Sequence, residues 1–371
     1  MLGKFKAIQT ILPFLLSSYF AISIDVNSVM AVNTELEAKK AYQAGKYQQA
    51  ISIWSNLVQQ SDLETSTKAE LCTNLAALYR QIGNSVKAID YWQEAIAIYR
   101  QIKDKRSQYL LAAILVDQAQ AHNALRQTDF SVPLLQEAIA IAKQENLTEI
   151  EAVGYQGLGN AHTIVGEYEQ AISNYSKSLT AARKLNDSKL VVVALNNLSS
   201  SYDRKYHQLL SQAKSAQESG NTEADDLSRQ SSLVAIKAID YATEAVKVSD
   251  SSQTLFSALA MLQLVELSEA YSKKEIVEPV SVKDYLSRAN KILMSLPNSQ
   301  RKAQALINLA RLQENPFATL ELALKAAKSI GHIPTQSMAL GYLGAYYEQK
   351  KDYDQALKLT HQAQQSAEGV R

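Results

Sequence analysis

The sequence is short of the residues that interrupt helices and of the residue that builds disulfides. Its 371 residues include 12 glycines, 6 prolines and a single cysteine, Cys72. Because glycine and proline are the main helix breakers, their scarcity predicts few turns and long helices. One cysteine excludes an internal disulfide framework and a cysteine-rich metal site.

An excess of charge of either sign is also absent. Lys and Arg number 38 and Asp and Glu number 37, so the formal net charge is +1. Binding to a nucleic-acid backbone depends on a strong basic field, which this composition does not supply. We therefore expect no nucleic-acid partner.

The N-terminus carries the main apolar run and is typical of a targeting segment. Lys4 and Lys6 precede a mostly apolar stretch at 11–24, and residues 29–31 offer a cleavage point. This three-part layout predicts a signal peptide over residues 1–31, and therefore a periplasmic or secreted protein. The run is too short for a comfortable membrane span of about 20 residues, so we expect no stable membrane insertion after cleavage. An uncleaved N-terminal anchor is the alternative.

Three glycines, Gly157, Gly159 and Gly166, raise the question of a phosphate-binding loop. Such a loop must follow a strand and open a helix, and no strand pattern precedes these residues. A second explanation is a helical hairpin in which Gly159 gives the partner helix room and Gly166 ends the first helix at the turn. The rest of the chain favours this second explanation.

The segment around these glycines recurs along the chain. A turn is followed by an alanine in four segments, at Ala50, Ala88, Ala171 and Ala356, with an aromatic residue or threonine four positions later. Upstream of three of them, a leucine precedes a small residue, at 75–76, 158–159 and 343–344. Steps of three and four residues place these side chains on one helical stripe. A lone hairpin cannot bury such a stripe, so hairpins must stack.

The recurring pattern resembles the tetratricopeptide repeat over nearly all of residues 33–371. The resemblance implies an all-α solenoid, a right-handed superhelix of helical hairpins. The small residues of the first helices are expected at Ala38, Ala76, Ala119, Gly159, Ser199, Gln263, Ala310 and Gly344. The eight expected hairpins are 33–61, 68–103, 107–144, 147–184, 187–250, 252–296, 299–331 and 335–369.

The fifth interval is longer than the others and predicts an elongated hairpin over 187–250. Apolar residues recur every seven positions on both arms, which is the spacing of a two-helix coiled coil. On the first arm they are Leu195, Tyr202, Leu209 and Ala216, and on the second arm they are Leu227, Val234, Tyr241 and Val248, with Ser231, Ala238 and Ala245 between them. A flexible insert is the alternative, and a role as a docking finger is a hypothesis.

No group of residues predicts catalysis. The five histidines show no metal-ligand spacing, and His122 and His162 occupy equivalent helix positions that favour a packing role. Cys72 lies on a packed stripe, where a thiol behaves as a small apolar group. We therefore predict a protein that is not an enzyme and needs neither a metal nor another cofactor.

Asparagine and arginine recur on the first helices of several repeats. In the resembled family, first helices line a concave groove whose asparagines hold extended peptide backbones, and an asparagine amide can both donate and accept. Arginine can bind a carboxylate. The candidate groove residues are Asn74, Arg80, Asn160, Asn197, Arg204, Asn308 and Arg311. The alternative is that these asparagines satisfy helix ends or face water.

Residues 298–367 are similar to the repeat region that precedes the caspase-like CHAT peptidase domain of exported bacterial proteins. In that family the catalytic His and Cys lie in the C-terminal domain, and no position here matches them. The expected function is therefore a non-catalytic scaffold that binds peptide segments or partner proteins. The alternative is a substrate-recruiting or regulatory part of a CHAT-type peptidase whose catalytic domain is missing or separate. The sequence does not indicate the oligomeric state.

Overall fold

The computed structural model describes residues 26–61, 63–249 and 253–368. These ranges contain sixteen α-helices and no strand, which confirms the predicted all-α hairpin fold. The first eight helices are α1 Val26–Gln43, α2 Tyr47–Val58, α3 Thr65–Gln81, α4 Ser85–Tyr99, α5 Lys105–Ala124, α6 Thr128–Gln144, α7 Thr148–Val165 and α8 Tyr168–Lys184. The second eight are α9 Ser188–Glu218, α10 Ala224–Ser249, α11 Leu255–Ser272, α12 Val282–Ser295, α13 Gln300–Arg311, α14 Phe317–Ser329, α15 Ile333–Gln349 and α16 Tyr353–Glu368.

The chain divides into two compact units, residues 1–150 and 151–371. In the first unit, α1 packs on α2, α3 on α4 and α5 on α6, and each pair contacts the next. In the second unit, the pairs from α9 to α16 follow the same plan. Odd-numbered helices are the first helices of their hairpins, and even-numbered helices are the second helices.

Tight turns between the paired helices depend on left-handed backbone. Gly166 has φ 84° at the turn after α7, as its sequence position predicts. Arg126 takes the same conformation at the turn after α5, with φ 59°, although it carries a side chain. Glycine adopts this region without steric cost, whereas other residues enter it at a penalty.

Aromatic side chains fill the hairpins four positions after the recurring alanine. In the first unit, Trp54 and Trp92 are 1% and 0% exposed. In the second unit, Tyr175 occupies the equivalent position and is also buried. It belongs to a buried cluster that includes Leu195 and Tyr271. Each of these aromatic side chains buries a large apolar area within its hairpin.

The elongated hairpin is formed by α9, of 31 residues, and α10, of 26 residues. The buried row of α10 consists of small residues spaced three and four apart, namely Ser231, Ala235, Ala238, Ala242 and Ala245. The larger residues predicted for that seam, among them Val234 and Tyr241, are only half-buried. Small residues let the two backbones approach closely, and Ser199 Oγ donates to the Ala238 carbonyl at 2.7 Å.

Two side-chain bonds tie the middle of α9 to the end of α11. The buried Tyr271 hydroxyl donates to Asp203 Oδ1 at 2.8 Å. Just beyond α11, Lys274 Nζ donates to the Tyr206 hydroxyl at 2.7 Å. Beyond this point α9 keeps a buried row of Leu209, Ala213 and Ala216, while its other residues, including Leu210, are exposed.

One predicted small position was wrong. In α11 the sequence interpretation placed Gln263 at the crossing point, but Gln263 is half-buried and bonds to the neighbouring α9. Ser268 is 0% exposed and precedes Tyr271 by three positions, which is the spacing of Ala76 and Tyr79. The true crossing residue of α11 is therefore Ser268, and the pair before the turn is Leu267–Ser268.

The predicted signal peptide falls mostly on residues outside the described ranges and stays a prediction. Among the helices that the structure describes, none combines the length and apolar character needed to cross a bilayer.

A buried histidine begins α15. His332 is 4% exposed, and its Nδ1 accepts from the Thr335 backbone N–H at 3.2 Å, which caps the helix. Burial lowers the pKa of His332 below its ordinary value of 6.5. Only a neutral ring can accept this hydrogen bond, so protonation removes the cap and places a positive charge at a helix N-terminus.

We expect acidification to destabilise the second unit through His332. A depressed folded pKa means that the unfolded state binds the proton more readily, so this contribution is present above about pH 6.5 and is lost as pH falls through the folded pKa. The loss should be about 1 kcal/mol, the usual value of a helix cap. The measurement is the urea denaturation of wild type and His332→Asn between about pH 7.5 and 5. Asparagine keeps a cap without titrating, so equal pH dependence in both proteins would contradict this role.

Candidate peptide-binding face

One residue of each first helix occupies a position that we call the face slot, immediately before the leucine and small residue of the hairpin crossing. In the second unit the face slots are Asn197 on α9, Glu266 on α11, Asn308 on α13 and Tyr342 on α15. These four helices lie side by side, since α9 contacts α11, α11 contacts α13 and α13 contacts α15. We call the surface that carries the four slots the first-helix face.

On α9, the face is polar and accepts hydrogen bonds from α11. Asn197 is half-buried, and Ser200 and Arg204 follow on the same stripe and are exposed. Gln263 of α11 donates to Ser200 Oγ at 2.8 Å, which links the two helices across the face. Arg204 makes no ion pair or hydrogen bond with another described residue, so its guanidinium is available to a carboxylate.

The side chain of Asn160 on α7 is held in place by a tyrosine of α8. The Tyr175 hydroxyl donates to Asn160 Oδ1 at 2.6 Å. Burial raises the pKa of Tyr175 to about 12, so the hydroxyl stays a donor at neutral pH, and the charge of Arg204 opposes this shift. Because the amide oxygen is occupied, the amide N–H₂ group is the part of Asn160 that can bind a carbonyl or carboxylate.

The α11–α13 part of the face carries both signs of charge. Arg311 Nη2 lies 3.5 Å from Glu266 Oε1, and both side chains are about half exposed. Asn308 is exposed one turn before Arg311. An exposed ion pair of this kind contributes little to stability, which leaves both groups free to exchange partners with a ligand.

In the first unit, the equivalent slot on α3 is Asn74. It lines a small pocket with Glu35 and Lys39 of α1, and Glu70 also contributes. The remaining lining residues are Thr73, Tyr99, Leu110 and Ile114. Burial raises the pKa of Glu70, and the nearby Arg106, whose Nη2 is 2.8 Å from Glu70 Oε1, opposes that shift.

Arg80 has a partner inside its own unit. Its Nη1 lies 3.0 Å from Oδ1 of Asp117 on α5 and also donates to Gln120 Oε1 at 3.2 Å. The guanidinium stacks on Trp92, with 5.6 Å from its carbon to the ring centroid. Asp117 occupies the face slot of α5, and sequence reasoning missed it because a buried carboxylate gives no periodic signal. Arg80 therefore forms an ion pair with Asp117 within the first unit, whereas Arg204 is exposed and pairs with no described residue.

Cys72, His122 and His162 make structural contacts within their hairpins. Cys72 is buried 3.7 Å from Glu94 Oε2, and burial, reinforced by that carboxylate, raises the thiol pKa to about 12. Such a thiol is a poor nucleophile. His122 Nδ1 lies 2.8 Å from Gln127 Oε1, and His162 Nδ1 lies 2.7 Å from Glu167 Oε2, so each ring spans its own hairpin turn. Within the described ranges, no cluster of three or more His, Cys, Asp or Glu could hold a metal.

Comparison with known proteins agrees with this architecture. Residues 64–144 match the profile of the tetratricopeptide repeat family. No curated protein sequence shows significant similarity to the chain.

Solved structures with the same fold have low sequence identity. The apo form of RapI shares 13% identity with a TM-score of 0.50, covering 81% of this chain and 99% of its own. A Rap protein complexed with competence and sporulation factor shares 13% identity with a TM-score of 0.51, covering 92% and 99%. Aspartyl phosphate phosphatase F from Bacillus subtilis shares 13% identity with a TM-score of 0.50, covering 94% and 96%. At this identity the likeness extends to the fold alone.

Proposed function

We propose that this chain is a non-catalytic scaffold, because residues 64–144 match the tetratricopeptide repeat family and the described hairpins on either side have the same design. It binds extended segments of partner proteins through the first-helix face. The observation that carries the proposal is the row of face slots on adjacent helices, with Asn197 and Asn308 on either side of Glu266. Asparagine amides bind peptide backbones irrespective of the side chains of the ligand.

Two further observations support this function. Arg204 and the Asn160 amide N–H₂ group are donors that no residue in the described ranges accepts, and they lie near the start of the face, where a ligand carboxylate could bind. One neighbour of the same fold is a Rap protein complexed with competence and sporulation factor, which shows that this architecture can carry a bound factor in that protein. We also propose that the binding takes place outside the cytoplasm, on the strength of the signal-like residues 1–31, which fractionation of cells would test.

Replacing the asparagines of the face should weaken partner binding. We expect the double variant Asn197→Ala with Asn308→Ala to retain about tenfold less partner in a capture experiment, because two backbone hydrogen bonds are lost. The measurement is quantitative mass spectrometry of proteins captured from envelope and secreted fractions on immobilised full chain.

The matched control replaces exposed residues of second helices, Thr243→Ala with Lys325→Ala, and should retain the partner. A partner that both double variants retain equally binds elsewhere, and that result would rule out the first-helix face. Capture of nothing above background by the wild-type chain would overturn the scaffold function itself.

A further inference from the structure

The last face slot departs from the polar pattern. On α15 the slot is Tyr342, which is 38% exposed, and Met338 lies one turn earlier and is 48% exposed. The corresponding slots on α9 and α13 are asparagine. Neighbouring large apolar side chains that are exposed on a protein surface commonly mark a binding site.

Aromatic neighbours extend this apolar surface. Tyr346 follows Tyr342 by one turn and therefore lies on the same side of α15. Its ring packs against Phe317, with 5.4 Å between the ring centroids, and Lys350 Nζ lies 5.7 Å from its centroid. We call Met338, Tyr342 and the exposed edge of Tyr346 the apolar end of the first-helix face.

The opposite end of the same face has complementary chemistry. Arg204 and the Asn160 amide N–H₂ group carry donors that no described residue accepts, while Asn197 lies two turns before Arg204. We call these three residues the polar end. A ligand that uses both ends must carry a negative charge at one position and an apolar side chain at another.

The separation of the two ends sets the spacing within the ligand. Three steps of 8–10 Å between neighbouring helices separate α9 from α15 by about 24–30 Å. Relative to the face slots, Arg204 also lies about nine residues, or roughly 14 Å, further along its helix than the Met338 and Tyr342 pair does. An extended chain rises by about 3.3 Å per residue. The two ligand groups are therefore about eight to ten residues apart.

We propose that the first-helix face of the second unit binds an extended peptide segment in one register. An Asp, Glu or C-terminal carboxylate binds at the polar end, and a large aliphatic or aromatic side chain binds between Met338 and Tyr342. The intervening backbone is held by Asn197 and Asn308. This inference rests on the proposed function and adds the ligand pattern to it.

The test is selection from a phage-displayed library of random peptides of about twelve residues on the immobilised full chain. The expected result is enrichment of peptides with an acidic residue and a large apolar residue about eight to ten positions apart. Enrichment of peptides without this pattern would overturn the inference and leave the scaffold function standing. Enrichment of no peptide at all would overturn both.

Two variants separate the ends of the face. Arg204→Ala should lose the acidic preference and keep the apolar one, with about tenfold weaker binding of a selected peptide. Met338→Ala with Tyr342→Ala should lose the apolar preference and keep the acidic one, by a similar factor. The replaced side chains are exposed, so melting temperatures should stay close to wild type. If each variant instead lost both preferences equally, the assignment of one ligand group to each end would be wrong.

Discussion

Arg80→Ala should lower the free energy of unfolding by about 3 kcal/mol, the lower end of the cost of removing one partner of a buried ion pair, because the Arg80 side chain is 20% exposed. Asp117 is 3% exposed, so the substitution leaves its carboxylate without its cation in a largely buried site. The lost stacking of the guanidinium on Trp92 adds to the effect. Urea denaturation followed by far-ultraviolet circular dichroism measures the change.

The pH dependence of the variant separates this cause from a simple loss of packing. Burial raises the pKa of Asp117 and Arg80 opposes the shift, so the pKa should rise further in Arg80→Ala. A raised carboxyl pKa means that the folded state binds the proton more readily, so the variant should gain stability, relative to wild type, as pH falls through that pKa. A destabilisation that does not change with pH would argue against an uncompensated carboxylate.

The control for this prediction is the double variant Arg80→Met with Asp117→Leu. Replacing both charges by apolar side chains of similar size should restore most of the lost stability, because buried ion pairs are often no better than apolar packing. If the double variant is as unstable as Arg80→Ala, the cost comes from lost shape complementarity and not from the orphaned charge.

Gly159→Leu should destabilise the second unit by about 1–3 kcal/mol through overpacking. A Cβ at position 159 would lie 2.5 Å from Cε1 of Tyr175, and that ring is held in place by its hydroxyl bond to Asn160. Relief of the clash requires Tyr175 to move, so the substitution should also weaken the positioning of Asn160. Thermal denaturation measures the first effect, and binding of a selected acidic peptide measures the second.

Gly341→Leu is the matched control, since Gly341 also lies in a first helix but a Cβ there would meet no neighbouring atom within 4 Å. Leucine is a better helix former than glycine, so this variant should be as stable as wild type or more so. Equal destabilisation by the two substitutions would mean that the close approach of Tyr175 is not what requires glycine at 159.

Local patterns sufficed to predict the hairpins, while contacts between hairpins could not be read from them. Gly159 and Gly166 were assigned correctly, because a small crossing residue and a left-handed turn are requirements within one hairpin. Ser268 was missed, because the flanking sequence of α11 is apolar on every side and offers several equivalent registers. Periodicity therefore predicted stacked helical hairpins, and the resemblance to the tetratricopeptide repeat implied the solenoid.

In the candidate site, too, features within one helix were predictable from the sequence and contacts between hairpins were not. The asparagine slots on α9 and α13 were predicted from spacing, and their binding role stays a prediction. The pairing of Arg80 with Asp117 could not be foreseen, since it joins different hairpins and depends on the relative rotation of α3 and α5. Met338 and Tyr342 belong to no motif that the sequence analysis identified, and only their exposure at the end of the first-helix face distinguishes them.

Because of the positions of Trp54 and Trp92, two spectroscopic signals report on different parts of the chain during unfolding. They are the only 2 tryptophans of the sequence, and both are buried within residues 1–150. Tryptophan emission thus follows the first unit, whereas helical circular dichroism follows both units. Coincident denaturation curves from the two signals would mean that the units unfold as one cooperative block, and separated curves would give each unit its own stability without any label.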